Sequence, residues 1–159
     1  VADVGHEVDA LSPAQKKKIE GLEARFDFVT NICDMRFART KGLRFGTMGS
    51  QDFGSFPPIA HTLVWTHPES GRKSLVLSPI HLIEMVGMPR EEGDALLEEL
   101  VDHTCSGRFT YVHDWQPNDV VLWDNWRTIH MAHGTPEGLH RVVQRTSILG
   151  EREVGRILA

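Results

Sequence analysis

The sequence predicts an α+β domain, mainly β, with helices packed outside a β-sandwich or β-barrel core. Two stretches show apolar residues at helical spacing, and several short strand-like segments are separated by turn-forming residues. Hydrophobic residues make up 40% of the 159 residues, which is enough for a core. A chain of this length holds one domain at most, so we expect a single domain over 1–159.

The first predicted helix begins at Ser12-Pro13-Ala14-Gln15. This segment combines an N-cap serine, a proline at the first helical position and a capping-box glutamine. Ile19, Leu22 and Phe26 follow at helical spacing. The helix is therefore predicted to continue to about Phe26.

The next segment, residues 29–60, is predicted to be irregular. Repeated glycines and the pair Pro57-Pro58 interrupt any long element there. Loops of this length in compact domains are commonly functional. We therefore interpret residues 29–60 as a lid or substrate loop.

A hairpin and a second helix are predicted to follow. Residues 61–66 and 73–77 have strand character, and Pro68-Glu69-Ser70-Gly71 between them is typical of a turn. Pro89 is predicted to open the helix, with acidic residues at its positive end. Its predicted apolar stripe comprises Leu96, Leu97, Leu100 and Val101.

After Gly107 the chain is predicted to be rich in strands. Residues 109–112 and 120–123 are predicted strands on either side of a turn at 116–119. Residues 141–149 form the last predicted strand, and it is a strong one.

The composition excludes several classes of function. The net charge is −5, and Lys16-Lys17-Lys18 is the only basic run, which argues against a nucleic-acid-binding protein. No apolar run is long enough for a membrane span, and no signal peptide is visible. Cys33 and Cys105 form neither a metal nor a disulfide framework, so a cytoplasmic location is expected.

The most informative residues are His130, Arg141 and Arg145. If 141–149 is a strand, both arginines point to the same face, about 13 Å apart. Two such arginines near a histidine would make an anion pocket beside a metal. A lone histidine is usually a packed or solvated residue, and His113, His133 and His140 are interpreted in that way.

Several segments, taken in order, resemble the C-terminal half of TauD/TfdA-like Fe(II)- and 2-oxoglutarate-dependent dioxygenases. The resemblance covers nearly the whole chain except the 29–60 loop, and the ordered combination carries it. The matching segments are Ala10-Leu11-Ser12-Pro13, Arg25-Phe26-Asp27-Phe28, Thr66-His67-Pro68-Glu69-Ser70-Gly71-Arg72-Lys73, Trp115-Gln116-Pro117-Asn118-Asp119, Trp123-Asp124-Asn125 and Thr146-Ser147-Ile148-Leu149-Gly150.

The resemblance implies a double-stranded β-helix, or jelly roll, with flanking helices. It implies an Fe(II) ion held by a His-x-Asp/Glu pair and a distal histidine, which His130 matches. Arg145 matches the arginine that pairs with the distal carboxylate of 2-oxoglutarate, and Arg141 one near the other carboxylate end. Arginine suits this role because its charge is permanent and its hydrogen bonds are bidentate.

One part of the family pattern is missing from this sequence. In the family the His-x-Asp pair and a threonine that holds 2-oxoglutarate precede the helix that begins here at Ser12. The chain starts at Val1 without a methionine. We therefore expect a C-terminal portion of the domain that lacks its N-terminal part and is inactive alone.

Two other segments resemble the iron-binding His-x-Asp/Glu pair. His67-Pro68-Glu69 fits the His-x-Glu pattern, but we interpret it as a structural hairpin turn. His6-Glu7-Val8-Asp9 fits the pattern less well.

Three hypotheses follow. The first is a dioxygenase that uses O₂ and 2-oxoglutarate, releases succinate and CO₂, and hydroxylates a small organic anion such as a sulfonate or aryloxy acid. The second is a truncated or degenerate jelly-roll domain that binds a small anion or a partner chain without catalysis. A cupin-like isomerase or hydrolase is disfavoured, because it does not explain the arginine spacing. Family likeness also implies a homo-oligomer.

Overall fold

A computed structural model describes residues 2–29, 34–38, 56–131, 138–148, 150 and 154–158. In chain order, its helices and strands are β1 (Ala2–Asp3), α1 (Val4–Ala10), α2 (Pro13–Ile19), β2 (Glu23–Phe26), β3 (Ile59–Thr62), β4 (Val64–Thr66), β5 (Lys73–Leu75), β6 (Leu82–Met85), α3 (Arg90–Thr104), β7 (Thr128–Ile129) and β8 (Arg156–Ile157).

The main sheet has four antiparallel strands in the order β6-β2-β3-β8. Strand β2 lies at its centre, because Ala24 pairs with His61 of β3 on one side and with Met85 of β6 on the other. Strand β8 extends the sheet beyond β3, where Ile59 pairs with Ile157. This central position leaves Ala24 with no exposed surface.

Helix α2 confirms the predicted start but not the predicted end. The Ser12 hydroxyl accepts the backbone N–H of Gln15, and the Gln15 side chain accepts the backbone N–H of Ser12, which completes the capping box. The helix ends at Ile19, so the prediction that it continues to Phe26 was wrong. Gly21, at φ 74°, turns the chain into β2, and hydrogen bonds to strands on both sides outweigh the helical spacing.

The predicted hairpin is confirmed. Strands β4 and β5 pair in antiparallel register from Val64–Leu75 to Thr66–Lys73. The strand predicted over 61–66 is divided at Leu63, which belongs to neither β3 nor β4. The Leu63 backbone N–H donates to Leu22, and its carbonyl accepts the N–H of Val76. The chain therefore passes there from the main sheet to the hairpin.

Helix α3 begins after Pro89, as predicted, and packs its apolar stripe into the core. Gly93 is the point of closest approach to the main sheet. A Cβ added there would lie 3.0 Å from the Cβ of Met85 in β6. The fully buried core side chains are contributed by both helices and strands and include Ile19, Leu63, Leu82, Leu97, Leu100 and Val101.

Helix α1 was not predicted. It follows β1 directly and packs beside β5 and α3. Val8 is buried in the common core, and His103 of α3 contacts the backbone carbonyl of Glu7 through its Nε2 atom at 3.0 Å. The helix has only seven residues, so it depends on this packing.

The strands predicted after Gly107 are largely absent from the described residues. Residues 120–123 and 141–148 form no ladder there, and residues 109–112 hold only an isolated bridge at Thr110. The turn at 116–119 is confirmed by a hydrogen bond from Asp119 N–H to the Gln116 carbonyl. Val120 is 92% exposed and Leu122 is 87% exposed. Strand-like sequence does not make a strand without a paired neighbour. The short β7 does form, pairing with β1.

Helices and antiparallel sheets occur together, which is the predicted α+β class. In the described part of the chain, helices contain more residues than strands do. The expected predominance of β structure is therefore not found in that part. None of its helices is long and apolar enough to cross a membrane.

Candidate metal and anion site around His130

The turn that leads to His130 is held together by Asp124. The Oδ1 atom of Asp124 accepts the backbone N–H of Trp126 at 2.8 Å. The Asp124 carbonyl accepts the Arg127 N–H at 3.1 Å and the Thr128 hydroxyl at 2.8 Å. Asp124 therefore fixes this turn through its side chain and its backbone carbonyl.

This turn brings Trp123 and His130 together. Their ring centroids lie 4.9 Å apart at an interplanar angle of 52°. The Trp123 indole N–H donates to Oδ1 of Asn125 at 2.9 Å, which holds the indole beside the turn. Trp123 therefore lies against His130 and is half-buried there.

The surroundings of His130 favour a neutral imidazole. Partial burial lowers the pKa of His130 below its ordinary value, and the positive charge of Arg145 lowers it further. A neutral imidazole carries the lone pair that a metal ligand needs.

The segment that carries the two arginines differs from the prediction. Residues 141–148 are exposed and form no strand, so the predicted strand is not found there, and the same-face geometry of Arg141 and Arg145 that depended on it stays a prediction. Arg145 affects the pKa of His130, whereas Arg141 is not among the groups that do so. The charge of Arg145 thus acts on His130.

His67 has a structural environment, as predicted. Its Nδ1 atom accepts the backbone N–H groups of Glu69 and Ser70, each at 3.2 Å. Its Nε2 atom lies 3.0 Å from Oδ2 of Asp124. Both ring nitrogens are engaged by protein groups, which leaves none for a metal.

The contact between the hairpin and the His130 turn was not predicted from the sequence. In addition to the His67–Asp124 contact, Trp65 of β4 stacks on Trp126 with ring centroids 4.8 Å apart. These residues lie some sixty positions apart in the chain, and no local pattern signals such a contact.

Other candidate residues do not form a second site. Glu7 is fully buried while His6 is exposed, which argues against the His6-Glu7-Val8-Asp9 alternative. Across residues 2–29, 34–38, 56–131 and the shorter described segments, no three His, Cys, Asp or Glu side chains converge on a metal position. Cys33 and His133 lie outside the described residues, as does most of the predicted 29–60 loop.

One described part of that loop is anchored on the core. Phe37 is buried, and the Arg36 guanidinium donates to the Ile83 carbonyl and to the Asp94 carboxylate of α3. The central residues of the predicted lid, 39–55, lie outside the described part.

Comparison with known proteins places the chain in a family. The family model described as "Taurine catabolism dioxygenase TauD, TfdA family" matches residues 1–147. The chain is 31% identical over 150 residues to the (S)-phenoxypropionate/alpha-ketoglutarate-dioxygenase of Sphingobium herbicidovorans, covering 94% of this chain and 51% of that protein. It is 30% identical to the alpha-ketoglutarate-dependent 2,4-dichlorophenoxyacetate dioxygenase of Cupriavidus pinatubonensis, covering 92% of this chain and 48% of that one.

Solved structures agree with this likeness. The crystal structure of AAD-2 in complex with Mn(II) and N-oxalylglycine matches 72% of this chain and 42% of that one, with 33% identity and a TM-score of 0.54. A taurine dioxygenase from Burkholderia xenovorans matches the same share of this chain at 24% identity, with a TM-score of 0.55, and shows the likeness in fold. The chain spans about half the length of the curated relatives it matches. It belongs to the TauD/TfdA family of dioxygenases.

Proposed function

We propose that the protein is an Fe(II)- and 2-oxoglutarate-dependent dioxygenase that hydroxylates a small organic anion and releases succinate and CO₂. The observation that carries this proposal is the lowering of the His130 pKa by partial burial and by the charge of Arg145, together with the packing of the Trp123 ring against His130, in a chain of the TauD/TfdA family. Relatives named for phenoxypropionate and 2,4-dichlorophenoxyacetate favour an aryloxy acid or similar anion. Because these relatives are named as dioxygenases, a non-catalytic binding domain is not favoured.

The donor chemistry of His130 fits one ligand position of an Fe(II) site. A neutral imidazole is a good ligand for iron, and the 2-His-1-carboxylate arrangement needs two further protein ligands. In this proposal those ligands lie outside the described residues. Bound iron would supply the activation of O₂, while the protein supplies binding, orientation and charge.

The two arginines are proposed to bind the dianionic co-substrate. Arg145 is assigned to the distal carboxylate of 2-oxoglutarate, and Arg141 to a position near the other carboxylate end. A permanently charged guanidinium can bind a carboxylate through two parallel hydrogen bonds. Arg145 also helps to keep His130 unprotonated, and so able to ligate a metal.

The proposal extends to the architecture. We propose that residues 1–159 are the C-terminal portion of one domain whose sheets close into a double-stranded β-helix, with residues 29–60 as its substrate loop. The likeness in fold to a taurine dioxygenase supports this architecture. A cytoplasmic location and a homo-oligomer remain proposals from family likeness.

The test uses the protein as its natural host expresses it. The rate of succinate formation is measured as a function of 2-oxoglutarate concentration, with a panel of aryloxy acids and sulfonates as substrates. Arg145→Ala is expected to raise the 2-oxoglutarate concentration needed for half-maximal rate by about tenfold or more, because charge-assisted hydrogen bonds are lost. Arg108→Ala, which removes an arginine over the Phe109 ring, is the matched control and should change nothing.

Two results would count against the proposal. If the wild-type protein forms no succinate with any anion of the panel, the assigned activity is wrong. If Arg145→Ala keeps the wild-type 2-oxoglutarate dependence, the assignment of Arg145 to the distal carboxylate of 2-oxoglutarate is wrong.

A further inference from the structure

One side-chain hydrogen bond joins the β4–β5 hairpin to the turn before His130. The Nε2 atom of His67 lies 3.0 Å from Oδ2 of Asp124. His67 follows β4 directly and is only 8% exposed. The hairpin around it is closed by hydrogen bonds from the His67 N–H to the Arg72 carbonyl and from the Gly71 N–H to the His67 carbonyl. The imidazole therefore projects from a rigid turn.

The geometry determines which nitrogen of His67 donates to Asp124. Because Nδ1 accepts two backbone N–H groups, from Glu69 and Ser70, it must carry a lone pair. The ring proton is therefore on Nε2, and Nε2 donates to the Asp124 carboxylate. The hairpin thus fixes both the orientation and the tautomer of His67.

Asp124 connects the hairpin to the segment that carries His130. Its second carboxylate oxygen, Oδ1, accepts the Trp126 N–H, and its carbonyl accepts the Thr128 hydroxyl. Thr128 lies in β7, which ends one residue before His130. The stacked pair Trp65 and Trp126 holds the same turn against the hairpin.

We propose that His67 is a positioning residue for His130, acting through Asp124. This inference rests on the proposed function, because His130 is taken to be a metal ligand. Without the His67 donor, the half-exposed Asp124 carboxylate can rotate, and the turn between Trp123 and His130 keeps only the stacking of Trp126 on Trp65 as its contact with the hairpin. Metal affinity depends on such outer hydrogen bonds because they hold ligands in place.

Two substitutions of His67 separate this role from a purely structural one. His67→Gln places an amide N–H near the Nε2 position, so it keeps the donor to Asp124 and loses the acceptor for the hairpin. His67→Asn places an amide oxygen near the Nδ1 position, so it keeps the acceptor and loses the donor. Asp124→Asn removes the same hydrogen bond from the other side, because an amide N–H would then face the Nε2–H of His67. His113→Asn is the control, since His113 contacts Asp119 at the same 3.0 Å distance in another turn.

The first measurement uses the metal-free protein. The nuclear Overhauser effect between the Trp123 and His130 rings reports whether His130 is held in place. It is expected to weaken in His67→Asn and Asp124→Asn and to persist in His67→Gln and His113→Asn. Loss in His67→Gln with retention in His67→Asn would overturn the proposal, because the hairpin alone would then matter.

The second measurement is anaerobic Fe(II) affinity in the presence of 2-oxoglutarate. We expect about tenfold weaker binding in His67→Asn and Asp124→Asn, and near-wild-type binding in the other two variants. Equal affinity in all variants would overturn the positioning role. A wild-type protein that binds no Fe(II) would instead contradict the proposed function, and the ring contact would still test whether His67 orders His130.

Discussion

The pKa of His130 is lowered by burial and by the charge of Arg145, so the two residues are related electrostatically. The expected strand over 141–149, on which the same-face geometry of Arg141 and Arg145 was based, is not formed in the described residues. The roles of His130 and Arg145 in metal and co-substrate binding stay predictions.

Gly155 is the most constrained glycine near the sheet edge. Its φ is 85°, and an added Cβ would lie 2.8 Å from the Ile59 side chain and 2.9 Å from the Ala60 carbonyl. Gly155→Ala is expected to lower the free energy of unfolding by about 2–4 kcal/mol, through backbone strain and overpacking. Denaturant unfolding measures this change.

Gly71→Ala is the matched control for Gly155→Ala. Gly71 has a similar φ of 68°, but an added Cβ meets no atom within 4 Å. It should cost only the backbone strain, about 1 kcal/mol. Equal losses in the two variants would show that the close contacts at Gly155 are unimportant.

His81 makes stability depend on pH. Burial lowers its pKa below the ordinary value of 6.5, and its Nδ1 atom accepts the Val29 N–H at 3.2 Å. As the pH falls through about 6.5, the unfolded chain takes up a proton that the folded protein resists, so the free energy of unfolding should fall. Unfolding measured at pH 7.5 and at pH 5.5 should show this decrease.

His81→Asn isolates the contribution of His81. The amide oxygen can replace the Nδ1 acceptor for Val29 without titrating. The variant should therefore show a smaller loss of stability between the two pH values than the wild type. An unchanged difference would mean that other groups account for the pH dependence.

At the scale of elements, α3 is the best-predicted part of the chain and contributes strongly to the core. Leu97 has no exposed surface and packs into the cluster that includes Leu82 and Leu100. Leu97→Ala is expected to lower the free energy of unfolding by about 2–5 kcal/mol. Glu92→Ala, at an exposed position of the same helix, should change the free energy of unfolding by only about a few tenths of a kcal/mol. A small effect of Leu97→Ala would contradict the assignment of this face to the core.

Helix starts and turns were predictable because they depend on neighbouring residues. The capping box at Ser12 and the turn closed by Asp119 are of this kind. Strands were predicted less well because they depend on partners distant in sequence. Residues 23–26 resembled a helix and form the central strand, whereas Val120 and Leu122 alternate like a strand and are exposed.

At the scale of the whole molecule, the family was predictable from the order of short motifs, and the family match over residues 1–147 confirms it. The junction that places the candidate site was not predictable. His67 and Asp124 meet through tertiary packing between the hairpin and the turn. His67, the histidine of the His-x-Glu pattern, thus contacts the turn that leads to His130.

In the proposed function, His130 is a ligand of an Fe(II) ion that 2-oxoglutarate chelates. The first measurement to make is an anaerobic titration of the protein, as its natural host expresses it, with Fe(II) and 2-oxoglutarate, followed by the weak visible charge-transfer band of the chelate. We expect a band in the wild type and in His113→Ala, and none in His130→Ala. An undiminished band in His130→Ala, or none in the wild type, would contradict it.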